Sequence, residues 1–239
     1  MLAILLGLTM RTRFVVTHHV DLHDTLFWCT KARRDGSMVG SHGYEGPHDG
    51  GYDPLIILKG ERIVIKDDRK LLDYQVQDFE RNGIYIVSSD MPPLNYPAKF
   101  INGDLTVIGP GVKPKPYTGK PYKENPPDDA TRKLFPPPRG MEDTTGIRTV
   151  NWQKWSQGIQ LGQIEFSWNM DAAWRVALKD PFGRIQPLEN VVPSLKGYEV
   201  RGLHWLEKDW ILVSANKARP DNGSLTLGYG CHLFWIELR

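Results

Sequence analysis

Two cysteines, Cys29 and Cys231, are all that this 239-residue chain contains. So few, with no Cys-x-x-Cys pair, exclude a disulfide framework and the common zinc and thiol-redox arrangements. They stand at opposite ends of the chain and could approach only if a fold pairs its ends. Two unrelated buried thiols are the simpler expectation. Charge of one sign is also missing. A net charge of +2 and a pI near 8.4 leave no global field to draw the chain onto nucleic acid or a membrane surface. Long apolar runs are absent too. Met1-Leu2-Ala3-Ile4-Leu5-Leu6-Gly7-Leu8-Thr9-Met10 falls well short of the roughly 20 residues that span a bilayer. It has no basic region before it, and Arg11 and Arg13 follow where a small-residue cleavage site would stand, so a packed first strand is expected rather than a signal peptide. A soluble chain with no membrane span follows from that reading. The nucleotide-binding glycine loops, Gly-x-Ser-x-Gly and His-Glu-x-x-His are all missing, which removes the best-marked nucleotide and hydrolase sites.

What is present is turn-rich and β-prone. Hydrophobic residues make up 40% of the chain, enough for a buried core, and 23 Gly, 18 Pro and eight Trp punctuate it. Residues 1–108 hold short apolar runs, among them Leu26-Phe27-Trp28, Leu55-Ile56-Ile57-Leu58, Ile84-Tyr85-Ile86-Val87 and Leu105-Thr106-Val107-Ile108. Gly50-Gly51, Lys59-Gly60 and Asn82-Gly83 separate them as turns. Residues 109–148 form a Pro-rich extended arm with nine prolines between Pro110 and Pro138, a composition that favours polyproline-like backbone. Residues 149–239 return to strands and carry seven of the eight tryptophans; they are expected to form one compact body with 1–108. The best helical window, Asp67–Glu80, fits a strand equally well.

The strands also repeat. Glu80–Asp90 matches Glu207–Asn216, and Asn102–Val107 matches Asn222–Leu227. His19, Asp24 and Leu26-Phe27-Trp28 parallel His204, Asp209 and Ile211-Leu212-Val213, and a fainter copy lies at Asp171 and Trp174–Leu178. Taking Asp24, Asn82, Asp171 and Asp209 as marks gives spacings of 58, 89 and 38 residues, the long one containing the arm. On these residues the chain resembles small β-propeller repeat proteins, whose blades run at about 40 to 50 residues. The resemblance covers about half the chain and implies an all-β fold of about four antiparallel units; a β-sandwich or barrel is the alternative.

Three constellations carry possible chemistry. Five of the seven histidines lie in residues 18–48, and within Thr17–Asp24 strand alternation would put His19, Asp21 and His23 on one face, a spacing suited to zinc. The string is similar to the His-rich loop of metallo-β-lactamase-type hydrolases but lacks its His-x-His-x-Asp-His order. The match of His19 to His204 argues for an architectural role instead, and no cofactor is the leading expectation, with zinc the alternative. The tryptophans Trp168, Trp174, Trp205 and Trp210 could stack sugars. In the arm, Lys113, Lys115, Tyr117, Lys120, Tyr122 and Lys123 interleave cations with aromatics and suit contact with another protein. The combined expectation is a non-catalytic structural or adaptor subunit of a larger assembly, most concretely a phage tail or capsid-associated component of a virion. The alternatives are a glycan-binding β-repeat module and a metal-dependent hydrolase using His18–Asp24.

Overall fold

The structure, a computed structural model, describes residues 13–22, 26–43, 52–63, 65–66, 74–80, 83–88, 95–101, 104–107, 113, 129–134, 146–168, 171–217 and 231–239. The first strand, β1 (Phe14–Asp21), is followed by a meander of β2 (Leu26–Ala32), β3 (Met38–Gly43), β4 (Tyr52–Leu58) and β5 (Glu61–Ile63), the first sheet. A second sheet contains β6 (Ile65–Lys66), β7 (Tyr74–Glu80), β8 (Gly83–Ser88), β9 (Asn95–Ile101) and β10 (Asp104–Val107), with β6 parallel to β10 and the other pairings antiparallel. After the short helix α1 (Asp129–Leu134) comes a third meander, β11 (Gly146–Lys154), β12 (Gln160–Trp168), β13 (Asp171–Lys179) and β14 (Ile185–Pro187). One turn of helix, α2 (Leu188–Val191), and a 3-10 turn at Pro193–Leu195 lead into β15 (Tyr198–Leu206), β16 (Trp210–Lys217) and β17 (Cys231–Leu238). The fourth sheet is completed by β1, which pairs antiparallel with β17 from Phe14 opposite Leu238 to Asp21 opposite His232. The chain is thus all-β, and its two ends meet in one ladder.

The fourth sheet explains its own sequence. β16 and β17 read as continuous apolar runs because both of their faces are covered. Ile211, Val213, Ala215, Phe234, Ile236 and Leu238 face one way, packing on Leu161, Val176 and Leu178 of the third sheet and on Leu188, Val192 and Leu195 of the helical connection. Leu212, Leu233 and Trp235 face the other way, onto Met38, Leu55 and Ile57 of the first sheet. Val39 and Ile56 are buried on the far side of the first sheet, where β3 and β4 lie against β7. Contacts therefore run third to fourth to first to second sheet.

Several expectations gain a location here. Tyr74–Glu80, the end of the ambiguous helical window, is strand β7. Met1–Met10 lies outside the described residues. The arm is not extended throughout: α1 forms within it, Thr131 is fully buried, and Leu134 packs on Val150, Ile164 and Ala177 of the third sheet. This part of the arm thus docks on the chain's own body. β8 and β16, matched in the sequence, are each the second strand of a hairpin, after β7 and β15. Of the other matches, Leu26-Phe27-Trp28 lies on the first strand of its meander and Trp174–Leu178 on the third, while Asn222–Leu227 lies outside the described residues. An apolar run marks any strand covered on both faces, so it cannot say which strand of a sheet it is.

Candidate functional site

The His-rich string sits on β1, where a bulge between Val16 and His18 resets the alternation. His18 then faces the first sheet, with its ring edge-on to Trp235. Gly36 (φ +83°) closes the β2–β3 turn beneath that ring; a Cβ there would stand 2.6 Å from it. His19 and Asp21 share the other face, as alternation predicts, while His23 lies outside the described residues. His19 stacks on Phe234 (ring centroids 4.5 Å apart, 7° between planes), and its Nε2 shares a 3.1 Å hydrogen bond with Nδ1 of His232. Tyr198 meets both His232 and Phe234 edge-on at 5.0 Å, and Asp21 Oδ2 is 3.8 Å from His232 Nδ1. Burial lowers the His19 pKa against the raising effect of Asp21. Among the described residues, no group of three His, Cys, Asp or Glu side chains could hold a metal ion. The partner the sequence missed is His232. It lies 213 residues from His19 on an apolar strand, and nothing in its local pattern marks it.

His204 does not occupy an equivalent place. It lies on β15, at the opposite edge of the same sheet from β1. Its Nε2 hydrogen-bonds Ser214 Oγ at 2.8 Å over the bare backbone of Gly202, and burial pushes its pKa down to about 3. Both histidines are bonded into packing, but in different surroundings. Cys231 is buried in the apolar cluster between the first and fourth sheets and Cys29 packs against that cluster, both as free thiols whose pKa values burial raises to about 12.

The four sugar-stacking candidates separate. Trp210 is buried, Trp205 packs against the same core with Nε1 donating to Glu207, and the Trp168 side chain lies outside the described residues. Trp174 is 38% exposed. It lines a shallow, open depression of about 140 Å³ together with Asn151, Gln163 and Glu165. In the arm, Lys113 is exposed; Lys115, Tyr117, Lys120, Tyr122 and Lys123 lie outside the described residues.

Two further features were not legible beforehand. At the β13–β14 turn, Asp180 Oδ1 accepts hydrogen bonds from the backbone N–H of Phe182 and of Arg184, both at 2.9 Å, and Oδ2 accepts from Arg184 Nε at 2.6 Å. Gly183 supplies the positive φ of +83° that this turn needs. Held this way, Phe182 projects 85% exposed with the Arg184 guanidinium over its ring. Elsewhere, Arg34 on the β2–β3 turn bridges Asp209 (2.7 Å) and Glu237 (2.8 Å) of the fourth sheet. Hydrogen bonds from Arg34 and Arg239 hold the Glu237 carboxyl down at about 2. No helix among the described residues is long and apolar enough to cross a membrane.

No protein-family model matches the chain, and neither a curated protein nor a solved structure is significantly similar to it.

Proposed function

We propose that this chain is a non-catalytic structural or adaptor subunit of a larger protein assembly, of the virion type its sequence suggests. The observation that carries the reading is Phe182. A large aromatic left 85% exposed on a turn fixed by three hydrogen bonds is the form of an interface anchor. Phe and Arg are both enriched at interfaces, and a turn that is already ordered loses little freedom on docking. The His19–His232 bond is the counterweight to the hydrolase alternative, because a metal would have to displace it.

The body suits such a role as a four-bladed, propeller-like ring. Three successive meanders followed by a fourth sheet that the N-terminal strand completes is the order that such a ring requires. The ring closes if the second sheet meets the third, and a density map with those sheets apart would refute closure.

The subunit role is tested by sizing the full chain in extracts of its native source. Wild type should sediment well above its 27.3 kDa mass, and Phe182→Asp should return it to a monomer with unchanged circular dichroism. A monomeric wild type would overturn the reading. Stoichiometric zinc lost in His19→Ala would favour the hydrolase instead.

A further inference from the structure

The depression beside Trp174 is built on paired strands of the third sheet. Asn151, Gln163, Glu165 and Trp174 come from three adjacent strands, β11, β12 and β13, and point to one face. Asn151 is paired with Gln163 across β11–β12, and Glu165 with Trp174 across β12–β13, so the four lie on two neighbouring rows of one sheet. On the same face, one end of these strands supplies Leu161, Val176 and Leu178 to the core. At the other end the residue types change to two amides, a carboxylate and an indole, and the face opens to solvent. Groups carried on paired strands are held more rigidly than groups on loops.

The chemistry of this lining selects a ligand class. The backbone N–H of Leu203 donates to Gln163 Oε1 at 3.4 Å, a long hydrogen bond, and the amide NH₂ is a further donor. Asn151 offers both a donor and an acceptor, and an ionised Glu165 only accepts. None of these four side chains is cationic, so a phosphate, sulfate or carboxylate would find no counter-charge among them. An ammonium ion would suit Glu165 and the indole but would leave the amide donors without acceptors. A neutral polyol answers every group: its hydroxyls donate to Glu165 and both donate to and accept from the amides, while a flat C–H face lies on Trp174. The depression's volume of about 140 Å³ lies below the roughly 300 to 1,000 Å³ of ordinary ligand pockets, which limits it to one part of a ligand held against an open surface. Among the described residues, β14 pairs with β13 only at Ala177, Leu178 and Lys179, so the strand edge at Trp174 is open for a longer ligand to continue past it.

We propose that Asn151, Gln163, Glu165 and Trp174 form a binding subsite for one neutral pyranose residue of a glycan, stacked on Trp174. This site is separate from the Phe182 turn and stands or falls independently of the assembly reading. With a single stacking side chain, the affinity for one sugar residue is on the order of 1 mM, so detection needs multivalent display.

The test is an array of immobilised neutral hexose and N-acetylhexosamine oligosaccharides, with sialylated and sulfated glycans beside them. It is probed with the full chain and with Trp174→Ala, Trp174→Phe and Asn151→Ala. Wild type should bind neutral glycans. Trp174→Ala should lose at least about tenfold in signal, Trp174→Phe should recover part of it, and Asn151→Ala should weaken it, all with unchanged thermal melting. Should Trp174→Ala fail to fold, Trp174→Phe and Asn151→Ala carry the comparison. No neutral-glycan signal, a preference for sulfated or sialylated glycans, displacement by tetramethylammonium chloride, or variants that bind like wild type would each overturn the proposal.

Discussion

The third and fourth sheets use the same antiparallel meander for opposite ends. In the fourth, β16 and β17 are covered on both faces, and every side chain from Trp210 to Ala215 and from Cys231 to Leu238 is buried. In the third, β12 and β13 bury one end of a face and open the other as the depression at Trp174. Its far face carries the small cluster under α1. A sheet covered on both sides has no surface left for a ligand, whereas one covered in part can be both core and site. This is why the candidate ligand site lies on the third sheet and the tightest packing on the fourth.

The comparison breaks most severely at Trp235. It is fully buried on the face toward the first sheet, and its Nε1 donates to the Arg33 carbonyl at 3.0 Å. Trp235→Ala should cost about 3–5 kcal/mol in chemical denaturation, by cavity formation together with an orphaned carbonyl. A loss under 1 kcal/mol would mean that the first and fourth sheets do not stabilise one another.

Next in size is an acid sensitivity confined to the fourth sheet. The folded pKa of His204, about 3, lies below the ordinary value of 6.5, so the unfolded chain takes up the proton first. Its contribution is complete above pH 6.5 and is lost as pH falls toward 3, at up to about 1.4 kcal/mol per pH unit. Stability measured from pH 7 to 4 should fall more steeply for wild type than for His204→Gln; parallel curves would show that the ring is not enclosed. Glu237 acts in the same sense but lower, its contribution being lost between about pH 4.5 and 2.

The smallest effect belongs to the third sheet. Gly162 lies under the Trp152 ring, and a Cβ there would stand 2.8 Å from it. Gly162→Ala should cost about 1–3 kcal/mol by forcing that indole off its seat. Because Trp152 is half-buried and able to move, a loss near 5 kcal/mol would show the third sheet to be packed as rigidly as the fourth.

Local chemistry was legible where neighbours in sequence decide it. The apolar runs marked β4, β8 and β16, and alternation put His19 and Asp21 on one face. The Gly60 turn was readable because positive φ favours glycine. The repeat misled where it equated His19 with His204, since similar strings suit any strand with two covered faces. The Phe182 turn went unread because Asp180-Pro181-Phe182-Gly183 looks like an ordinary turn. That its aromatic stays outside depends on everything else packed nearby.

By itself the sequence determined that this is an all-β chain, rich in turns and lacking the marked catalytic motifs, because strand periodicity and turn residues act over a few neighbours. Only the tertiary structure decided which strands share a sheet, that β1 closes on β17, that His19 bonds His232, and that Trp174 alone among the described sugar-stacking candidates opens onto a polar cleft. Those outcomes depend on the pairing of segments up to more than 200 residues apart, which is set by how covered faces fit together and not by any local pattern.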